Sequence, residues 1–95
     1  MSKATHACDV KKFTDIPNIG LAMADDFMLL EITTPQELAN CDGHELYIRL
    51  CRKTGKRHDP CVLDTFLAAV DFMQGAPAKP WWYYTKERKE KYPNV

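Results

Sequence analysis

Positive charge is missing from a long central stretch of this chain. No lysine or arginine lies between residues 13 and 48. The same stretch carries seven acidic side chains, whereas residues 1–12 have a formal charge of +2 and residues 49–95 a formal charge of +5. The net charge of zero therefore hides a strong segregation. Because affinity for nucleic acid comes mostly from neutralising phosphates, this argues against the acidic stretch as the main contact with DNA or RNA.

Long apolar runs are also missing. None approaches the roughly 18 residues that a membrane span requires, and the first residues lead into no apolar signal region. We therefore expect a cytoplasmic protein that has no membrane partner. A chain of 95 residues supports one hydrophobic core, so we expect a single domain over residues 1–95, with residues 1–8 flexible.

The cysteine pattern gives little sign of a metal site. There are four cysteines and no Cys-x-x-Cys pair among Cys8, Cys41, Cys51 and Cys61. In a cytoplasmic helical protein they are expected to be reduced thiols with a packing role. The closest ligand pairs, His6-x-Cys8 and His58-x-x-Cys61, are a weak zinc signal, so we expect neither a metal nor another cofactor.

His58, Asp59 and Cys61 lie close together in sequence and are residue types that serve as base, acid and nucleophile in enzymes. Asp59 and Pro60 open a predicted helix, whose N-terminus would lower the thiol pKa of Cys61, but the neighbouring carboxylate opposes that effect. No glycine-rich phosphate loop and no clear pair of nucleophile and base accompanies these residues. We therefore predict that the protein is not an enzyme.

Residues 15–24 predict a tight hairpin between two helices. Pro17 stops a helix that enters over residues 11–15, and Asn18 and Gly20 supply the backbone freedom that a sharp reversal needs. Gly20 and Ala24, four residues apart, are expected to let the first helix approach closely. Two residues of the turn are predicted to point inward: Ile16 and Ile19.

The second helix of this hairpin is predicted from residue 20 to residue 31, because apolar residues recur there at helical spacing. Asp25 and Asp26 are predicted to face outward. The predicted inward face consists of Leu21, Ala24, Phe27, Met28 and Leu30.

Two capping patterns predict the next helices. Thr34, followed by Pro35 and Glu37, forms a capping box for a short helix to about residue 40. Asp42 is predicted to cap the N-terminus of the next helix, and Gly55 is predicted to end that helix. Within that helix Leu46, Tyr47 and Leu50 are predicted to face the core, and His44 is predicted to face solvent.

A longer apolar helix is predicted from Asp59 and Pro60 to Gly75, and we expect it to be the central one. Asp64 and Asp71 are predicted to point away from the core. The predicted buried face contains Val62, Leu63, Phe66, Ala69, Val70 and Met73.

Two prolines and a glycine within residues 75–80 end this helix. The four rings of residues 81–84 are then predicted to cover the core. The alternative is that Trp81 or Trp82 stays exposed and stacks on bases or on a partner. Thr85 is predicted to cap a last helix through Lys91. The sequence thus predicts an all-α, compact single domain of five or six short helices, with residues 76–95 packing on the core.

The turn residues resemble the helix-hairpin-helix motif of DNA repair and recombination proteins, a SAM-like motif. The resemblance rests on Ile16, Pro17, Asn18, Ile19, Gly20 and Ala24. Asn18 stands where this motif usually carries another glycine, and Asn also visits the left-handed region. The resemblance implies that backbone amides of Gly20 and Ala22, at the start of the second helix, donate to a phosphate.

A second resemblance covers residues 13–89. It rests on Ile16–Gly20, Thr33–Leu38, Glu45–Tyr47, His58–Asp64 and Pro80–Trp82. Together these segments resemble a small bacterial family named for a pathogenicity locus, whose members are often labelled mitomycin-resistance proteins. That label implies either DNA protection or drug sequestration, and in the second case Trp81 and Trp82 would stack on the drug.

Positive charge is concentrated in residues 49–57, where five of nine consecutive residues are basic: Arg49, Arg52, Lys53, Lys56 and Arg57. If this run binds a ligand, the ligand is expected to be phosphate, assisted by amides of the Thr54-Gly55 turn and of the following helix start. We therefore predict a non-catalytic module that binds DNA or another nucleic acid without sequence specificity, with Lys11 and Lys12 as helpers. The alternative is a module that binds another protein, or another copy, through its segregated acidic and basic faces.

Overall fold

The computed structural model describes residues 3–95, which fold into helices joined by short turns. Its four α-helices are α1 (Leu21–Leu29), α2 (Gly43–Thr54), α3 (Pro60–Met73) and α4 (Thr85–Lys91). Short 3-10 helices lie at Ala7–Asp9, Phe13–Asp15, Pro35–Asn40 and Trp81–Tyr84. No strand occurs in this part of the chain, so the all-α prediction is confirmed. Residues 1 and 2, part of the segment predicted to be flexible, lie outside the described residues.

Helix α3 is the centre of the fold, as predicted. It packs against α2, the 3-10 helix Pro35–Asn40 and the 3-10 helix Trp81–Tyr84. Leu63, Phe66 and Ala69 are completely buried. The ring of Phe27 in α1 lies 5.2 Å from that of Phe66 and 5.2 Å from that of Phe13, so three aromatic rings join the first hairpin to α3.

Capping residues explain where α2 and α3 begin and where α2 ends. The Asp42 carboxylate accepts from the His44 amide at 3.0 Å, and the Asp59 carboxylate accepts from the Cys61 amide at 2.9 Å. Gly55 has a φ of 71°, the left-handed conformation that ends many helices. These three capping predictions are confirmed.

The predicted cap at Thr34 is wrong in its details. The Thr34 side chain makes no capping hydrogen bond, and the helix that follows is a 3-10 helix. The Glu37 carboxylate instead accepts from the amide and the hydroxyl of Thr33, at 3.0 Å and 3.1 Å. Thr85 likewise does not cap α4, because its hydroxyl donates to Asp64.

The prediction that Asp64 and Asp71 point away from the core is also wrong. Asp64 has no solvent exposure and accepts from the Thr85 hydroxyl at 2.7 Å and from Nε of Arg88 at 2.9 Å. Asp71, two turns further along α3, accepts from the Tyr84 hydroxyl at 2.6 Å. The two carboxylates hold the C-terminal segment on α3, since buried charges require such partners.

The first hairpin differs from its prediction in two ways. The helix predicted over residues 11–15 is a three-residue 3-10 helix, Phe13–Asp15, and the helix predicted over residues 20–31 covers Leu21–Leu29, with Gly20 as its N-cap. No atom lies within 4 Å of a Cβ built on Gly20, so this glycine does not mediate a close approach. The close approach occurs at Gly43, where a Cβ would lie 3.0–3.1 Å from Leu67 atoms, including the Leu67 backbone.

Two exposure predictions also fail. The Leu21 side chain, predicted to face inward, is 79% exposed, and Met28 is 53% exposed. His44, predicted to face solvent, is half-buried, and its ring stacks on Tyr92 with centroids 4.0 Å apart. None of the helices formed by residues 3–95 has the length and apolarity needed to cross a membrane.

Candidate functional site

The cations of residues 49–57 lie together on the second half of α2 and the loop that leads to α3. We call this segment the basic hairpin. Arg49, Arg52, Lys53, Lys56 and Arg57 are all exposed. Local structure explains why they share one region: the last two turns of α2 carry three of them, and the chain reverses immediately afterwards.

The turn of the basic hairpin is fixed by backbone hydrogen bonds. After the left-handed Gly55, the Gly55 amide donates to the Arg52 carbonyl at 3.3 Å and the Lys56 amide donates to the Cys51 carbonyl at 3.2 Å. The Tyr47 hydroxyl donates to the His58 carbonyl further along. The exposed cations therefore extend from a turn whose backbone is held in place.

None of the five cations forms an ion pair. Within residues 3–95, the ion pairs shorter than 4.0 Å are Arg88 with Asp64 and Lys91 with Glu87. The guanidinium of Arg49 donates to the Leu30 carbonyl at 2.9 Å and so interacts with the carbonyl end of α1. The charge of the basic hairpin is thus left available to a ligand.

One acidic side chain of α1 lies close to this loop. Burial raises the pKa of the Asp26 carboxyl, while the nearby His58 and Lys56 lower it. The end of α1 and the basic hairpin are therefore neighbours, and the acidic and basic surfaces of the molecule meet there.

The amides predicted to assist phosphate binding at the start of α3 are already used. The Cys61 amide donates to the Asp59 carboxylate, and the Val62 amide donates to the Asp59 carbonyl at 2.9 Å. Pro60 has no N–H to offer. The hydrogen bond from Cys61 also lowers the pKa of the Asp59 carboxyl, which keeps a negative charge at the helix start. Side-chain cations, rather than backbone amides, are what the basic hairpin offers an anion.

The turn of the first hairpin has the predicted backbone. Asn18 has a φ of 73°, and Ile16 and Ile19 are completely buried. The Asn18 side-chain amide donates to the Lys79 carbonyl at 2.8 Å, and the Lys3 ammonium donates to the carbonyls of Thr14 and Ile19. The hairpin is therefore tied both to the N-terminal segment and to the segment before Trp81.

Gly20 and Ala22 present an open helix start. Both residues are exposed, no side chain caps α1 at Gly20, and the first backbone bond of the helix runs from the Ala24 amide to the Gly20 carbonyl. The amides of the first turn are thus free of intrahelical partners. No basic side chain lies on α1 to reinforce them.

The aromatic segment covers the core only in part. Tyr84 is 5% exposed, whereas Trp82 and Tyr83 are 64% and 55% exposed, and Trp81 is 39% exposed. The Lys79 ammonium lies 4.3 Å from the centroid of the Tyr83 ring. Trp81 and Trp82 are accessible to a stacking ligand.

Two members of the constellation considered from the sequence, His58 and Cys61, have different neighbours in the structure. His58 Nε2 lies 2.8 Å from the Thr54 hydroxyl. Burial, followed by the Asp59 carboxylate, raises the pKa of the Cys61 thiol and keeps it protonated. No group of three or more His, Cys, Asp or Glu side chains in the described chain is arranged to hold a metal ion.

Sequence reasoning missed one surface feature, the exposed apolar side of α1. Leu21, Met28 and Leu29 are all more than 40% exposed. The signal was present in the sequence, because apolar residues occur all around this short helix rather than on one stripe.

Comparisons with known proteins identify the family of this chain. The chain is 44% identical over 81 residues to "Mitomycin resistance protein McrB" of Streptomyces lavendulae, an alignment that covers 85% of this chain and 77% of that protein. No solved structure matches the chain. The sequence pattern of the family described as "Pathogenicity locus" (Cdd1) matches residues 6–90. The chain therefore belongs to the pathogenicity-locus family.

Proposed function

We propose that this protein is a non-catalytic module that binds the phosphate backbone of nucleic acid, without sequence specificity, through the basic hairpin. The observation that carries the proposal is that five exposed cations lie within nine residues and form no ion pair in residues 3–95. Such unneutralised charge is what displaces counterions from DNA.

The chemistry of these side chains suits the oxygens of phosphate groups. Arg52 and Arg57 can hold phosphate oxygens with two N–H groups at once, and Lys53 and Lys56 act as mobile point charges. No helix of the basic hairpin presents a row of amide side chains that could read bases, so the contacts are expected to position the protein without selecting sequence.

The open amides of Gly20 and Ala22 are secondary contacts in this proposal. A helix N-terminus attracts an anion, but the acidic charge of residues 13–48 weakens the attraction. Lys11 and Lys12, which are exposed, serve as helpers on the N-terminal side.

The exposed rings add a preference for single strands. Trp82 can stack on an unpaired base, a contact that contributes roughly 1–3 kcal/mol per base. The variant Trp82→Ala is therefore expected to weaken binding of single-stranded DNA and to leave binding of duplex DNA unchanged. Equal weakening for both substrates would assign the ring a structural role.

The resistance named for the relative suggests a biological setting. The name "Mitomycin resistance protein McrB" belongs to that protein. For this chain, we propose that coating of DNA in the cytoplasm protects it, and the alternative is that exposed Trp81 and Trp82 sequester the drug. Survival of an expressing bacterium that depends on the lysines of the basic hairpin would favour DNA protection, whereas survival that depends on the tryptophans would favour sequestration.

The direct test is fluorescence-anisotropy binding of labelled single-stranded and duplex DNA at low and physiological salt. The variant Lys53→Glu/Lys56→Glu is compared with Lys86→Glu/Lys89→Glu, which changes the total charge equally at exposed sites on α4. Wild-type binding should weaken steeply with salt, and the first variant should lower the slope of log K against log salt by about 2. Absence of binding by folded wild type at low salt would overturn the proposal.

A further inference from the structure

The solvent-facing side of α1 exposes three large apolar side chains around one acidic residue, which is unusual for a surface helix of nine residues. Its exposed residues fall within one arc of the helix, because they are spaced three, four and seven apart. We call this arc the α1 face, and it consists of Leu21, Ala22, Asp25, Met28 and Leu29. A helix that is apolar all around is normally covered on every side, and a contiguous exposed apolar patch marks an interaction site.

The acidic side chains near the α1 face limit which protein surface can bind to it. Asp25 lies within the α1 face and Glu31 lies just beyond its end, and both are exposed. Two copies packed α1 against α1 would bring these carboxylates together, and like charges at an interface disfavour that arrangement. The complementary surface must combine apolar area with cations that can reach Asp25 in the middle of the face and Glu31 beyond its end.

The chain carries such a surface between α2, the turn that follows it and the C-terminal residues. A cleft of about 420 Å³ is lined by Tyr47, Ile48, Cys51, Arg52, Lys56 and Arg57, and its remaining wall is formed by residues 55, 94 and 95. Ile48 and Cys51 are half-buried on its floor, and the three cations on its rim are exposed. We call this surface the basic cleft. Its size is sufficient for a pair of aliphatic side chains.

We propose that the protein self-associates by pairing two different faces, so that the α1 face of one copy lies in the basic cleft of another. Leu21 and Met28, two helical turns apart, bury their side chains against the floor of the cleft. Asp25 and Glu31 interact with the cations of its rim, with Arg52 as the bidentate partner. The contact is heterologous, because each copy contributes one face and offers the other.

This pairing does not depend on nucleic-acid binding, although the two share cations. A copy whose basic cleft is occupied has Arg52, Lys56 and Arg57 covered, so saturating duplex DNA should compete with association if the protein binds DNA. If the protein does not bind DNA, the pairing is unaffected. Failure of one proposal therefore leaves the other standing.

The test is sedimentation velocity of the full chain over a wide range of protein concentration. The average mass of wild type should rise with concentration and should rise less at high salt. Asp25→Lys on the α1 face and Arg52→Glu on the cleft rim should each remain monomeric. The matched controls are Glu90→Lys and Lys89→Glu, charge reversals at exposed positions of α4, and both should associate like wild type.

Mixing separates this arrangement from a symmetric one. An equimolar mixture of Asp25→Lys and Arg52→Glu should recover a species of twice the monomer mass, because each variant retains the face that the other lacks. A mixture that stays monomeric, or a wild type that stays monomeric at every concentration, would overturn the proposal. So would normal association of Arg52→Glu, since the α1 face would then have a different partner.

A change without charge completes the test. Leu21→Ser/Met28→Ser removes the apolar part of the α1 face, and both side chains are more than half exposed, so the thermal unfolding midpoint of the dilute protein should stay near that of wild type. Association of this variant should fall at low and at high salt alike. Unchanged association would contradict burial of these side chains in the cleft.

Discussion

Arg88 and the cations of the basic hairpin carry the same kind of charge in opposite circumstances. The Arg88 side chain is 12% exposed and donates to Asp64, a carboxylate with no exposure at all. Arg52, Lys53, Lys56 and Arg57 are exposed and have no acidic partner within residues 3–95. One region uses its positive charge to hold the molecule together, and the other exposes its charge to solvent.

A chain with no net charge can therefore still present a strong local electrostatic field. Asp64 and Asp71 are satisfied internally by the C-terminal segment. Asp26 of the first hairpin lies near Lys56 and His58 without forming an ion pair with either. Net charge therefore says little about either surface, because electrostatic attraction acts over about 10 Å in salt.

The largest expected effect comes from breaking the buried pair. Replacement of Arg88 by methionine, Arg88→Met, leaves the buried Asp64 carboxylate without its cation, and should lower the free energy of unfolding by about 3–5 kcal/mol. Urea denaturation followed by circular dichroism measures the change. The Thr85 hydroxyl remains as a donor to Asp64 but carries no charge.

Two companion variants sharpen this result. Lys91→Met removes the exposed pair with Glu87 and should cost less than about 1 kcal/mol. The double variant Asp64→Leu/Arg88→Met should recover much of the loss, since replacing a whole buried pair by apolar side chains is often nearly neutral. A small effect of Arg88→Met alone would mean that water reaches Asp64 and that the pair does not hold α4 in place.

A smaller effect is expected at the second carboxylate of α3. Tyr84→Phe removes the hydroxyl that donates to Asp71, and should lower the free energy of unfolding by about 1–2 kcal/mol, because the half-buried Asp71 can recover part of its hydration. The same denaturation experiment applies. An unchanged stability would assign the attachment of the C-terminal segment to Asp64 alone.

The pH dependence of this contact has a definite sign. Burial, reinforced by the hydrogen bond to Asp71, raises the pKa of the Tyr84 hydroxyl in the folded protein above its unfolded value of about 10. The resulting stability is fully present below about pH 10 and is lost as the pH rises through the folded pKa. Wild type should therefore lose more stability than Tyr84→Phe between pH 9 and pH 11, and parallel losses would contradict the assignment.

Much of the backbone could be predicted from the sequence, and for local reasons. Asp42, Gly55 and Asp59 mark the ends of α2 and α3 because each acts within its own turn of chain. Ile16, Ile19 and Asn18 take their predicted places for the same reason. The five cations of the basic hairpin required only proximity in sequence to be recognised as a cluster.

The failed predictions involve contacts between distant segments. The sequence predicts a solvent-facing Asp64 because its partners, Thr85 and Arg88, lie more than 20 residues away in sequence. Leu21 and Met28 read as core residues because hydrophobicity on a helix indicates burial without saying against what. Whether Met28 meets the core or solvent depends on the position of α1 relative to α3, which helical periodicity does not contain.

The smallest effect on stability is expected when two lysines of the basic hairpin lose their charge. Lys53→Gln/Lys56→Gln keeps helix propensity nearly constant and removes two unpaired cations, so the free energy of unfolding should change by no more than about 0.5 kcal/mol. At low salt the weaker repulsion among the remaining cations is opposed by the lost attraction between Lys56 and Asp26, so the net change should stay small. Denaturation at low and physiological salt measures this, while DNA affinity of the same variant should fall. A loss of stability above about 1 kcal/mol would show that these lysines serve the fold, as Arg88 does, and would remove the basis for assigning their charge to a ligand.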